Sequence, residues 1–197
     1  MEEPVGLAQD VPMVTIVESD GRWTSEFTRI ATELRGALGD GARRIDHIGS
    51  TSVPGLPSKD LIDIQITVDD ENGLGRVASQ LSRSGWRRGR GFWRDHRVPG
   101  LPAAPSEWRK VFFDEPEGGR PTHLHVRIEG RANQRYALLF RDYLRASPDA
   151  SAAYAQVKRG LAALAPDSDG YSSAKDPACD LIYFAAETWA RKTGWTP

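Results

Sequence analysis

The sequence predicts an α/β or α+β protein, with strands in its first two-thirds and a helical cluster at its C-terminal end. Three observations predict it. Apolar residues recur at helical spacing between positions 23 and 38. Two segments, 61–68 and 122–128, alternate with period two. Beyond position 131 only helical periodicity remains.

With 197 residues, one domain is expected over 13–197, preceded by a loose polar tail at 1–12. In helix one, Trp23, Phe27, Ile30, Ala31, Leu34 and Leu38 make one buried face, and Gly39 supplies the stop. Before it, 14–17 reads as a short edge strand. Residues 43–48 form a short strand that ends in Gly49-Ser50. The run 61–68 points Ile62, Ile64, Ile66 and Val68 one way, and Leu61, Asp63, Gln65 and Thr67 the other. A helix follows over 74–81 and stops near Gly85.

The Arg-, Gly- and Pro-rich stretch 86–106 reads as irregular, a hairpin with a mobile loop through 99–105. Residues 108–113 are strand-like. In 122–128, Leu124, Val126 and Ile128 share one face, and His123, His125 and Arg127 the other. Ser147-Pro148-Asp149 is a helix start, with the hydroxyl as cap and proline in the first turn. Asp176-Pro177 repeats that signal and predicts a further helix start there.

Composition bounds the function. A net charge of -1 gives no global basicity for nucleic acid or an anionic membrane. The aromatics Trp86, Phe92 and Trp93 among Arg87, Arg88 and Arg90 are therefore not read as a base-stacking surface. A single cysteine, Cys179, forms no internal disulfide. No apolar run reaches the roughly 18 residues of a membrane span, and residues 1–12 lack the basic and apolar regions of a signal peptide. A cytoplasmic location is expected.

Four constellations carry possible chemistry. Gly49, Ser50, Thr51 and Ser52 offer a close backbone approach, N–H groups and hydroxyls to a phosphate, although the spacing is not that of a P-loop. Asp63 sits mid-strand among apolar residues. Such a carboxylate is costly to bury unless it is paired, with Arg44, Lys59 or Arg127 as candidates, or binds a metal. Mg²⁺ prefers hard oxygen ligands, and Gln65, on the same face, contributes a neutral carbonyl where a two-metal site wants a second carboxylate. His123 and His125 form an H-x-H pair. It is a chelate in search of a third ligand, a general base, or a polar lining of a cleft. Arg135, Arg141, Arg145, Lys158 and Lys175 populate the last helices; Asp142 and Arg145 are spaced to pair, while Arg141 and Lys158 flank buried stripes.

Read together, HIGSTSVPGLPSKDLIDIQITV (47–68), THLHV (122–126), FRDYLRASP (140–148) and the spacings Tyr154…Lys158 and Tyr171…Lys175 resemble the GrpB family, placed in the nucleotidyltransferase-like superfamily. The chain departs from the family's usual Lys-Pro where Asp60 follows Lys59. It departs again at Pro177, which interrupts a helix running past Lys175. The resemblance implies a nucleotidyltransferase-like mixed sheet with a pocket between the Gly-Ser turn and the aspartate strand. Gly49, Ser50 and Asp63 match the superfamily pattern, Gln65 departs at the second carboxylate, and the His125 strand takes the third carboxylate's place.

The expected function is binding of a nucleoside triphosphate, or a related small phosphorylated or acidic ligand, with Mg²⁺. Nucleotidyl transfer to, or adenylation of, a small acceptor would follow if the chain is an enzyme. Gly49, Ser50, Thr51, Lys59, Arg141, Lys158 and Lys175 would hold phosphate, Asp63 and Gln65 the metal, and Asp63 with His125 the catalytic roles. The alternative is an inactive ligand-binding or interaction module, linked through family fusions to coenzyme A metabolism.

Overall fold

The computed structural model describes residues 14–89, 93–165 and 167–197. The expected tail at 1–12 lies outside the described residues, as do Arg90 and Phe92. Helix α1 (Arg22–Leu38) buries Trp23, Ile30, Leu34 and Leu38 on one face. Helix α2 (Glu71–Arg83) begins at Asp70, whose carboxylate caps the Gly73 amide at 2.7 Å. Strands β1 (Arg44–Ile48), β2 (Ile62–Val68), β3 (Arg87–Arg88), β4 (Val111–Asp114) and β5 (Thr122–Ile128) form one sheet in the order β1-β2-β5-β4-β3. Only the β2/β5 pair is parallel. The sheet is mixed, as expected.

The period-two pattern of β2 and β5 sorts the two faces. Ile62, Ile64, Ile66, Val68, Leu124, Val126 and Ile128 pack with α1 and α2 into the main core. The other face carries Asp63, Gln65, His123, His125 and Arg127. Helix α3 (Ala132–Ala146) lies over it, against β1 and β5, which is why Gln65 and Thr67 are fully buried although polar. Helices α4 (Pro148–Leu164) and α5 (Ser168–Thr193) complete the C-terminal cluster, where Tyr136 stacks on Tyr183 with ring centres 4.4 Å apart.

Four local expectations are corrected. Asp176-Pro177 starts no helix. α5 begins at Asp167, whose carboxylate caps Gly170 at 2.7 Å, and it runs through Pro177 unbroken. Tyr171 and Cys179, either side of the proline, are both buried, and this packing outweighs the lost backbone bond. Ser147 precedes α4 but its hydroxyl makes no cap bond; Pro148 is at the helix start as expected. Residues 14–17 are not a sheet strand: Val17 makes a single bridge to Ser58. The start of the strand-like run 108–113 belongs to a 3-10 turn, Pro105–Trp108.

Candidate functional site

The site begins where β1 ends. Gly49 has φ +69 and ψ -172, a conformation open to glycine, and a Cβ there would lie 2.9 Å from the Cβ of Asp63. The bend and the aspartate strand are thus in direct contact, the adjacency expected if the two strands are neighbours, which they are. A 3-10 turn, Ser50–Ser52, follows, in which the Ser52 hydroxyl donates to the Gly49 carbonyl at 2.6 Å. Ser50 remains half-buried, while Thr51 is turned inward. Its hydroxyl donates to the Leu61 carbonyl at 3.2 Å and lies 3.0 Å from Nε2 of His47. Thr51 therefore braces the turn from behind and does not face a phosphate.

Strand register sets the polar row. Asp63 pairs with His123, and His123 with Asp114; Gln65 pairs with His125 one row on. Asp63 Oδ1 is 3.4 Å from Nε2 of His125 and 3.6 Å from Nδ1 of His123. Burial works to raise the Asp63 carboxyl, but the hydrogen bonds from His123 and His125 outweigh it and hold it well below the ordinary carboxylate range. His125 is lowered to about 3, first by burial and then by the Lys110 cation, so its ring is neutral at physiological pH.

Behind His125 lies a second charged group that the sequence did not announce. Asp95 accepts from Lys110 at 2.7 Å, from Arg127 at 2.9 and 3.0 Å, and from Asn133 at 3.0 Å. Lys110 Nζ and Arg127 Nη2 each stand 3.4 Å from Nδ1 of His125. Lys110, a lone lysine beside an apolar strand, was the one available signal. Asp95 sits in the irregular stretch, where no periodicity marks it.

Several expected site residues are placed elsewhere. Gln65 has both polar atoms committed: Oε1 accepts from Arg127 Nη1 at 2.7 Å, and Nε2 donates to the Gln134 carbonyl at 3.2 Å. It is a scaffold residue in this arrangement, not a metal ligand. Arg141 is likewise a tie between α3 and β1. It donates to Asp142 at 2.7 Å and to the His47 carbonyl at 3.1 Å, with Asp46 at 3.6 Å. Of the partners suggested for Asp63, Arg127 pairs with Asp95 and Arg44 with Asp46. Asp60 accepts from Trp23 Nε1 at 2.7 Å and from Arg120, which fixes it at the strand start. Asp142 and Arg145 do pair, at 3.6 Å.

Three lysines stand near one another around two tyrosine rings. Lys59 and Lys175 lie over the Tyr171 ring, 5.5 and 5.6 Å from its centre, and Lys158 lies 5.6 Å from that of Tyr154. Lys158 is only 2% exposed, and its ammonium donates to the Pro57 carbonyl. Burial, and then the charge of Lys175, lower it to about 7. Lys59 is also lowered, by burial first and Lys175 second. Gly49, Asp63, His125, Tyr136 and Lys175 line a cavity of about 210 Å³. That is below the roughly 300–1,000 Å³ of most small-molecule sites. It suits the charged end of a ligand better than a whole nucleotide.

The side chains that converge here differ from the donors Mg²⁺ selects. Mg²⁺ takes oxygen donors in octahedral geometry, whereas the side chains that converge here are one carboxylate and two imidazoles, with the Gln65 carbonyl already occupied. The donor set does not fit a resident Mg²⁺.

Comparison with known proteins places this architecture. The GrpB protein family model matches residues 13–184. A dephospho-CoA kinase of Mycolicibacterium paratuberculosis is 37% identical over 197 residues, covering 93% of this chain but 48% of that protein. The chain thus spans about half the length of the curated relatives it matches first. The crystal structure of the conserved protein GrpB from Enterococcus faecalis has 27% identity and a TM-score of 0.71, covering 89% of this chain and 99% of that one. The Cid1 poly(U) polymerase bound to Mg 3'-dATP aligns with a TM-score of 0.50 at 13% identity, over 81% of this chain and 49% of that one. At that identity the likeness shows the fold alone, which is nucleotidyltransferase-like. Among the described residues no helix is long and apolar enough to cross a membrane. With a family model that spans most of its length and a relative sharing more than a third of its residues, the chain belongs to the GrpB family.

Proposed function

We propose that this protein is a binding module for a phosphorylated anion, with a nucleoside triphosphate as the first ligand to test. The observation that carries the reading is the lysine group. Lys59, Lys158 and Lys175 repel one another, and burial already depresses two of them. None of the three forms an ion pair with a described carboxylate; their polar contacts are to Ser168, the Pro57 carbonyl and aromatic rings. Such a group is costly as it stands and becomes favourable when an anion enters beside it. Gly49 and Lys175 line one cavity, and the bend that Gly49 opens offers backbone amides of the kind that bind a phosphate oxygen.

Nucleotidyl transfer, or adenylation of a small acceptor, is the less supported arm. It calls for a second carboxylate beside Asp63, and Gln65 stands there in the grip of Arg127. A role beside coenzyme A synthesis has one supporting observation, the name of relatives twice this length. Thermal unfolding with ATP, with coenzyme A and with inorganic triphosphate tests the reading. A ligand at about 100 times its Kd adds roughly 2.7 kcal/mol, and Lys158→Met removes most of that gain. No shift with any of the three at millimolar concentration would remove the proposal. Turnover of ATP that Asp63→Asn abolishes would replace it with the transferase reading.

A further inference from the structure

The separations around Asp63 are long for the hydrogen bonds they make. A carboxylate that used two imidazoles only as hydrogen-bond donors would draw them to about 2.7–3.2 Å. Here the contacts are 3.4 Å to His125 Nε2 and 3.6 Å to His123 Nδ1. Two ligands on one tetrahedral ion, each about 2.0–2.1 Å from it, stand about 3.4 Å apart. One atom from each of Asp63, His123 and His125 lies within 4.8 Å of the other two. The two Asp63 separations lie close to that ligand–ligand spacing, and the three side chains converge.

We propose that Asp63, His123 and His125 form a site for a borderline divalent transition metal of the Zn²⁺ class, in place of the Mg²⁺ expected from the fold. One carboxylate oxygen and two imidazole nitrogens are the donors such ions select, and Mg²⁺ does not. Two of the three residues, Asp63 and His125, also line the cavity that Lys175 borders, so a further ligand can reach an ion there from that side. A carboxylate also stands behind His123: Asp114 Oδ1 is 3.7 Å from its other nitrogen, Nε2, beyond hydrogen-bond length but on the side where an outer carboxylate supports a ligating histidine. The parallel β2/β5 register supplies this geometry, setting Asp63 beside His123 and leaving His125 one row along. The opposing influence is the pair of cations at His125 Nδ1. Asp95 accepts from both and offsets one of their charges. His125 is therefore the costlier ligand, and His123 the cleaner one to test.

The metal site does not rest on the phosphate reading, because it is tested without any phosphate. The full chain, stripped with a chelator and dialysed, is titrated with Co²⁺ alone and then with Zn²⁺. The expected result is one ion per chain and visible d–d absorption from four-coordinate Co²⁺ that Zn²⁺ abolishes. His123→Gln and His125→Gln should each weaken affinity by about tenfold or more, and Asp114→Asn by about tenfold. The half-exposed His123 position keeps the test open should the His125 variant fail to fold, and far-UV circular dichroism reports folding for each. Mg²⁺ at millimolar concentration should neither absorb the site nor displace Co²⁺. Co²⁺ binding that survives His123→Gln unchanged, or that Mg²⁺ displaces as readily as Zn²⁺ does, overturns the proposal. So does an absence of visible absorption.

Discussion

Arg127 on β5 donates Nη1 to Oε1 of Gln65 on the parallel strand β2 at 2.7 Å, and through its other nitrogens it holds Asp95 at 2.9 and 3.0 Å. That contact explains why a glutamine occupies the position. The side chain is fully buried and must satisfy a donor on one side and the Gln134 carbonyl on the other. An amide does both; a carboxylate would face that carbonyl with like polarity.

Gln65→Leu should therefore act as a stability variant. Each buried group left unpaired costs roughly 1–3 kcal/mol, and Arg127 and Gln134 would both lose a partner. Urea unfolding should show the loss, while the Co²⁺ titration of the Asp63 site keeps its stoichiometry. A variant that binds no metal yet keeps wild-type stability would return Gln65 to the ligand set.

Gly49→Ala tests the close approach of the bend to Asp63. Its backbone lies in a region nearly confined to glycine, where a side chain costs about 1–3 kcal/mol. The new methyl would also press on the Asp63 Cβ. Both stability and anion-induced stabilisation should fall. Equal anion response in a destabilised variant would separate the bend from the binding site.

The lysine group gives the anion affinity a pH dependence of known sign. Lys158 is lowered from an ordinary 10.5 to about 7. Between those values the unfolded chain holds a proton that the folded chain has lost, so the unliganded protein gains stability as pH rises from 7. An anion favours the protonated amine, so its affinity should fall above pH 7, by up to tenfold per unit for one coupled proton. Calorimetric titrations of triphosphate at pH 6.5 and 8.5 measure this. Lys158→Met should flatten the profile, and a flat wild-type profile would show that Lys158 is not coupled to the ligand.

Acid should destabilise this protein in part through His47, alongside His125. The His47 ring stacks on Phe27 at 4.7 Å and is lowered from 6.5 to about 4, chiefly by burial. The unfolded chain binds the extra proton between those values, so stability present above pH 6.5 is lost as pH falls toward 4, by up to about 3 kcal/mol. His47→Phe keeps the stack and removes the titration. Melting temperatures across this window should fall less steeply in the variant than in the wild type.

What the sequence determined by itself is what local physics decides. Period-two alternation named the two faces of β2 and β5, helical spacing found α1 and α3, and Gly49-Ser50 marked the bend after β1. The motifs marked Gly49, Asp63, Lys59, Lys158 and Lys175 as candidates; that the bend touches Asp63 and that the three lysines stand near one another is decided by strand pairing and by the seating of the C-terminal helices. Partner choice was not readable. Asp63, Gln65 and Arg141 are polar side chains whose roles depend on which atoms lie within about 3 Å, and those atoms come from residues 62 to 94 positions away. The parallel register of β2 against β5 and the seating of α3 across the polar face settled that Asp63 meets two imidazoles, that Gln65 answers to Arg127, and that Arg141 ties β1. Pro177 failed as a boundary for the same reason: a local breaker yields when buried side chains on both sides of it hold one helix together.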